Sequence, residues 1–186
     1  KMFVEVLSIP VNEKYSLSET AIFVTPGMYQ NYRITESLKI WPSKAKHLWI
    51  APTRGDPENS VYEELRNLNA NQNPDDLIIG GFTEATPGQM VWALEKLKEN
   101  PNVKRIILST AAYHLPRCML TFIKAMKKAG VYYPISAYPL INPEGSSFSA
   151  NEVESEIKKI HEYGLKGDVA SEEDLKEYLK KRFSEN

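Results

Sequence analysis

Four side chains in one short stretch of this sequence can do chemistry: Thr110, Tyr113, His114 and Arg117, in the run Thr110-Ala-Ala-Tyr113-His114-Leu115-Pro116-Arg117. Histidine titrates near neutral pH, so His114 is a candidate general acid or base, with Tyr113 or Thr110 to orient a substrate. Arg117 offers a planar fork suited to phosphate or carboxylate. Pro116 fits the first position of a helix, because its missing N–H would have no intrahelical partner there, and this makes Leu115 the expected cap. Leucine accepts no hydrogen bond, and an exposed cation at Arg117 opposes the helix dipole by roughly 0.3 to 1 kcal/mol. An uncapped helix start flanked by His114 and Arg117 suits a bound anion. The competing reading is structural, with His114 held by a carbonyl and Arg117 paired with a carboxylate of a neighbouring loop. Both readings stand at this point.

Other residues extend the candidate site. Arg33 and Arg54 add two permanent charges, and Gly55 beside Arg54 lets the backbone approach a ligand closely. Asp56, Glu58 and Glu84 fall on turns from which they orient His114, or else they are solvated turn residues. The single cysteine, Cys118, excludes an intrachain disulfide and a thiolate cluster, and reads as an inert core residue rather than a nucleophile. His47, His114 and His161 show no metal-ligand spacing. No phosphate loop, dinucleotide turn or serine nucleophile elbow is present.

The elements that must position these residues alternate along the chain. Arg105 to Leu108 is a short buried strand that Ser109-Thr110 is expected to break, followed by a helix with Met119, Phe122, Ile123 and Met126 on its apolar face and Gly130 as its stop. Further strands are expected at Ala21 to Thr25, His47 to Ala51, Leu77 to Ile79 and Val131 to Ala137. Helices are expected around Tyr32 to Trp41, ended by Pro42, and around Val61 to Leu68. Others run from a Thr86 cap to Glu99, from Asn151 to Tyr163 ending at Gly164, and from Ser171 to Phe183. Lys1 to Ser18 reads as an extension draped on the body. Five strand–helix alternations predict a single α/β domain, three-layered, with a mostly parallel sheet of about five strands and helices on both faces. Ligands bind such sheets beyond the carboxyl ends of the strands, and Thr25 to Gly27, Thr53 to Asp56, Gly80 to Thr86 and Ser109 to Arg117 all fall there.

The order of these pieces resembles a known family. Thr110-Ala-Ala-Tyr113-His114-Leu-Pro116-Arg117 is similar to the T-x-x-(Y/F)-H-x-x-R signature of the YdcF-like family, the superfamily that includes the SanA and ElyC envelope proteins. Ala21 to Gly27 takes the place of that family's first strand and glycine turn, Arg33 its first-helix arginine, and Thr86 with Gln89 its T-x-x-(N/Q) helix start. Glu156 to Ile160 and Gly167 to Ser171 resemble the end of some members. The chain departs from the pattern at its first turn, where only Gly27 remains, at Pro52-Thr53-Arg54-Gly55, and at Pro87-Gly88. The resemblance implies a Rossmann-like fold and a ligand site drawn from Thr25, Gly27, Arg33, Arg54, Gly55, Thr86, Gln89, Thr110, Tyr113 and Arg117. It also suggests a phosphorylated or nucleotide-like ligand, S-adenosylmethionine among them.

Composition bounds the rest. With 186 residues, folding buries roughly 70% of the unfolded surface. Against 24 acidic residues stand 23 basic ones, a net charge of -1, which gives no support to nucleic-acid binding while allowing a local cationic pocket. No run is long enough to span a membrane, so a soluble, cytoplasmic protein is expected. Three functions fit: an enzyme of transferase or hydrolase type acting on a small anionic ligand, a non-catalytic sensor of such a ligand, or an interaction domain whose cationic crevice docks an acidic partner.

Overall fold

The apolar runs become five strands, β1 Thr20–Val24, β2 His47–Ile50, β3 Leu77–Ile79, β4 Arg105–Ala111 and β5 Ile135–Leu140. In the computed structural model, which describes residues 14–27, 30–53, 65, 67, 76–143 and 150–184, they form one sheet in the order β3-β2-β1-β4-β5. Every pairing is parallel. The described helices are α1 Tyr32–Lys44, α2 Thr86–Glu99, α3 Leu115–Ala129, α4 Ala150–Leu165 and α5 Glu172–Ser184. The expected α/β class with a parallel sheet of five strands is what forms.

Right-handed crossovers place the connections on opposite faces according to the direction in which the sheet is built. Side chains alternate accordingly. Ile22, Val24, Leu48, Ile50 and Ile107 pack with Ile34 and Trp41 of α1 and with Leu65. Phe23, Trp49, Ile106 and Leu108 pack on the other face with Met90 and Leu94 of α2, Met119 and Phe122 of α3, and Leu175 and Tyr178 of α5. Phe122 meets Phe23 edge-on at 5.8 Å, an arrangement that adds about 0.5–1.5 kcal/mol beyond area burial.

The element ends differ from expectation for local reasons. β4 runs on through Ser109 and Thr110 because their hydroxyls find buried partners, Ser37 Oγ at 2.9 Å and the Thr25 carbonyl at 3.0 Å. β5 starts at Ile135, not Val131, since the Val131 amide closes the end of α3 on Met126 while Gly130 takes a left-handed φ of 66°. Pro139 is accepted because β5 is an edge strand. Pro42 lies inside α1 rather than ending it, and the Ala45 amide still reaches the Trp41 carbonyl. Likewise Gly164 stays within α4, and the chain turns at Gly167, with φ of 73°. α5 is fixed to α3 by Lys124 and Lys127, which pair with Asp174 at 3.1 and 2.6 Å. Most of the N-terminal extension, and the turn and helix expected between Arg54 and Leu68, lie outside the described residues; Leu65 is helical and buried. Among the described residues no helix is long and apolar enough to cross a membrane.

Candidate functional site

Sheet order reverses between β1 and β4, so the loops leaving their carboxyl ends head to opposite faces. Thr25 to Gly27 leads from β1 toward α1, and Ala112 to His114 leads from β4 into α3. A cleft of about 450 Å³ opens between them, walled on its third side by Ser155, Glu156 and Lys159 of α4. Of the residues singled out in the sequence, Gly27, Arg33, Thr86, Gln89, Tyr113, His114 and Arg117 line it. Thr25 and Thr110 stand behind the wall, and Arg54 and Gly55 lie outside the described residues.

Arg33 is held from behind. Its Nη1 donates to the Thr25 carbonyl and to Thr110 Oγ1, both at 3.1 Å, and its Nη2 to the Tyr113 hydroxyl at 3.0 Å. Tyr113 in turn contacts Gln30, and its ring centroid lies 5.6 Å from the guanidinium carbon. Gly27 permits this arrangement, because a Cβ there would stand 2.9 Å from that carbon. Arg33 is 3% exposed, its Nε has no hydrogen-bond partner, and no carboxylate among the described residues lies within ion-pair distance.

Arg117 corrects the expectation of an exposed first-turn cation. It is buried, and its Nε donates to Glu156 Oε2 at 2.6 Å, its Nη2 to Glu156 Oε1 at 3.2 Å and its Nη1 to Thr86 Oγ1 at 3.0 Å. The carboxylate that offsets this cation at the start of α3 is thus supplied by α4. Burial works against the Arg117 charge, yet the bond from Glu156 offsets it and the guanidinium is held more firmly protonated than usual. Thr86 gives its hydroxyl to Arg117 and does not cap α2, whose cap position is Ala85. The α3 cap position is His114, not Leu115, because His114 is already in the helical region at φ -87°, ψ -24° and its carbonyl accepts from the Cys118 amide; Pro116 is therefore the second helical residue. No side chain caps that helix.

The residue that orients His114 is Glu156, its Oε2 2.9 Å from Nδ1. Asp56 and Glu58 lie outside the described residues, and Glu84 is exposed. Burial, helped by Arg117 and Arg33 and resisted by Glu156, pushes His114 from its ordinary 6.5 down to about 4. Burial alone would raise the Glu156 carboxyl; the His114 and Arg117 contacts overcome it and hold Glu156 well below the usual carboxylate range. At neutral pH the cluster is therefore a neutral imidazole between a carboxylate and a guanidinium.

Gln89 donates to the Ala51 carbonyl and ties α2 to the end of β2. Burial pushes the Cys118 thiol up to about 11, against weaker opposing effects of Arg117 and Thr25. Among the described residues no group of three histidine, cysteine, aspartate or glutamate side chains is placed to hold a metal ion. Comparison with protein-family models, curated proteins and solved structures finds no match to this chain.

Glu156 is the site residue that residue-by-residue reading missed. Its only signal was the resemblance of Glu156 to Ile160 to the end of some YdcF-like proteins; within α4 it is one of several glutamates and lysines, and helix periodicity gives it no special standing.

Proposed function

We propose that this protein binds a small anion, bearing a phosphate or carboxylate group, in the cleft between β1 and β4, with Arg33 as its charge partner. One observation carries the reading: Arg33 is a buried guanidinium without a carboxylate partner among the described residues, in a cleft that a ligand can enter. An uncompensated charge taken out of water costs several kcal/mol, which an incoming anion offsets. Lys159 and the uncapped start of α3 add to the attraction. Arg117 does not serve this role, because Glu156 already neutralises it. His114, protonated only near pH 4, has little driving force to take up a proton at neutral pH, and this favours binding over general-base catalysis.

Calorimetric or melting titrations with inorganic phosphate and simple carboxylates test the reading. A ligand at 100 times its dissociation constant stabilises a protein by about 2.7 kcal/mol, and Arg33→Gln should abolish the effect. Equal shifts in wild type and variant would sink it.

We also propose membership of the YdcF-like family. In its support, Arg33 donates to Thr110 and Tyr113 of the signature, and the other two signature residues, His114 and Arg117, contact each other in the wall of the same cleft. A nucleotide-like ligand such as S-adenosylmethionine, and a cytoplasmic location, rest on that resemblance and on the sequence.

A further inference from the structure

We propose that His114 decides which anion the cleft accepts: its Nε2 is a fixed hydrogen-bond acceptor, and the ligand carries a hydroxyl group beside its charge. This rests on the anion-binding reading above and adds the class of ligand.

The argument begins with the protons of the His114 cluster. Glu156, ionised beside Arg117, can only accept hydrogen bonds, and Arg117 can only donate. His114 Nδ1 lies 2.9 Å from Glu156 Oε2 and 3.1 Å from Arg117 Nη2. A neutral imidazole carries one N–H, so Nδ1 serves one of these neighbours and not both. Were Nδ1 the acceptor, its lone pair would face the carboxylate lone pair at 2.9 Å with no proton between them. Were it the donor, Arg117 would lose nothing essential, since its Nη2 also donates to Glu156 Oε1 and its Nε and Nη1 are engaged elsewhere. The proton therefore sits on Nδ1, and the lone pair on Nε2.

That lone pair finds no partner among the described residues. His114 makes hydrogen bonds only through Nδ1 among the described residues, while its ring lines the cleft. An acceptor that faces the cleft without such a partner favours a ligand that brings a donor over one that does not. The donor is a hydroxyl rather than an ammonium, because Arg33, Arg117 and Lys159 in the same walls outnumber the carboxylates Glu152 and Glu156. Arg33 then takes the charge and His114 the hydroxyl.

Isothermal titration of the full chain with two probe pairs tests this: glycerol 3-phosphate against propyl phosphate, and glycerate against propionate. The hydroxylated member of the pair that binds should do so about tenfold more tightly. His114→Phe should bring that ratio to one, and Arg33→Gln should weaken both members alike. Nitrogen NMR of the histidines in the unliganded wild type reads the tautomer directly, and decides should the phenylalanine variant fail to fold. Equal binding within a pair by wild type, or a proton on Nε2 of His114, overturns this inference and leaves the anion site standing. Failure of all four probes to bind overturns the anion site, and this inference with it.

Discussion

Arg117 Nε lies 2.6 Å from Glu156 Oε2, joining residues 39 positions apart in the chain and fastening α4 to the start of α3. Both groups are buried, so each is the condition for the other's charge. Removing one partner of such a pair costs more than the pair contributes, because the survivor is left buried and uncompensated.

Arg117→Ala should therefore destabilise the protein by about 3–5 kcal/mol, where an exposed first-turn arginine would change little. Denaturant unfolding measures this. A loss below about 1 kcal/mol would mean that the pair is solvated in solution.

The pH dependence of stability has a defined sign. His114 has a folded pKa of about 4 against an ordinary 6.5, so between these values the unfolded chain takes up a proton that the folded protein refuses. Glu156, depressed in the fold, contributes stability present above the ordinary carboxylate value and lost as the pH falls below it. The melting temperature should begin to fall near pH 6.5, before the carboxylates titrate. The groups facing His114 are Arg117 from α3, Glu156 from α4 and Arg33 from α1; Arg117 is held more firmly protonated than usual and Glu156 well below the usual carboxylate range. His114→Phe should remove the upper part of the decline, and an unchanged profile would rule the assignment out.

Gly27→Ala should act on the ligand through Arg33. The added Cβ would meet the guanidinium carbon at 2.9 Å and push the side chain off its three hydrogen bonds. Overpacking of this kind costs typically 1–3 kcal/mol, and phosphate binding should weaken along with stability. Wild-type affinity in this variant would show that the position of Arg33 is immaterial.

Cys118 should resist thiol reagents in the native state. It is fully buried, and its thiol is pushed up to about 11. Modification should track unfolding in denaturant; rapid labelling without denaturant would argue for a reactive site at the start of α3.

What the sequence made legible follows from how local each signal was. Thr110 to Arg117 spans one strand end and one helix start, so its convergence on a cleft could be read from the alternation of elements alone. The role of Arg117 could not, because its partner comes from α4, across a separation that no periodicity encodes. Arg33 shows the same limit: it was recognisable as a cation at the right edge, while its lack of a carboxylate among the described residues is a fact of packing. The shifted ends of β4 and β5 likewise depended on partners in neighbouring elements, Ser37 and Met126 among them.

The construction of α4 has a consequence for how this protein can change. Glu156 is its only buried residue and Ile160 and Tyr163 pack against the core, while Asn151, Glu152, Ser155 and Lys159 line the cleft. Substitutions at those four places can retune what the cleft selects at little cost to folding. A lineage, or a laboratory library, that keeps Glu156 and varies the others has an inexpensive route to new ligands on an unchanged scaffold.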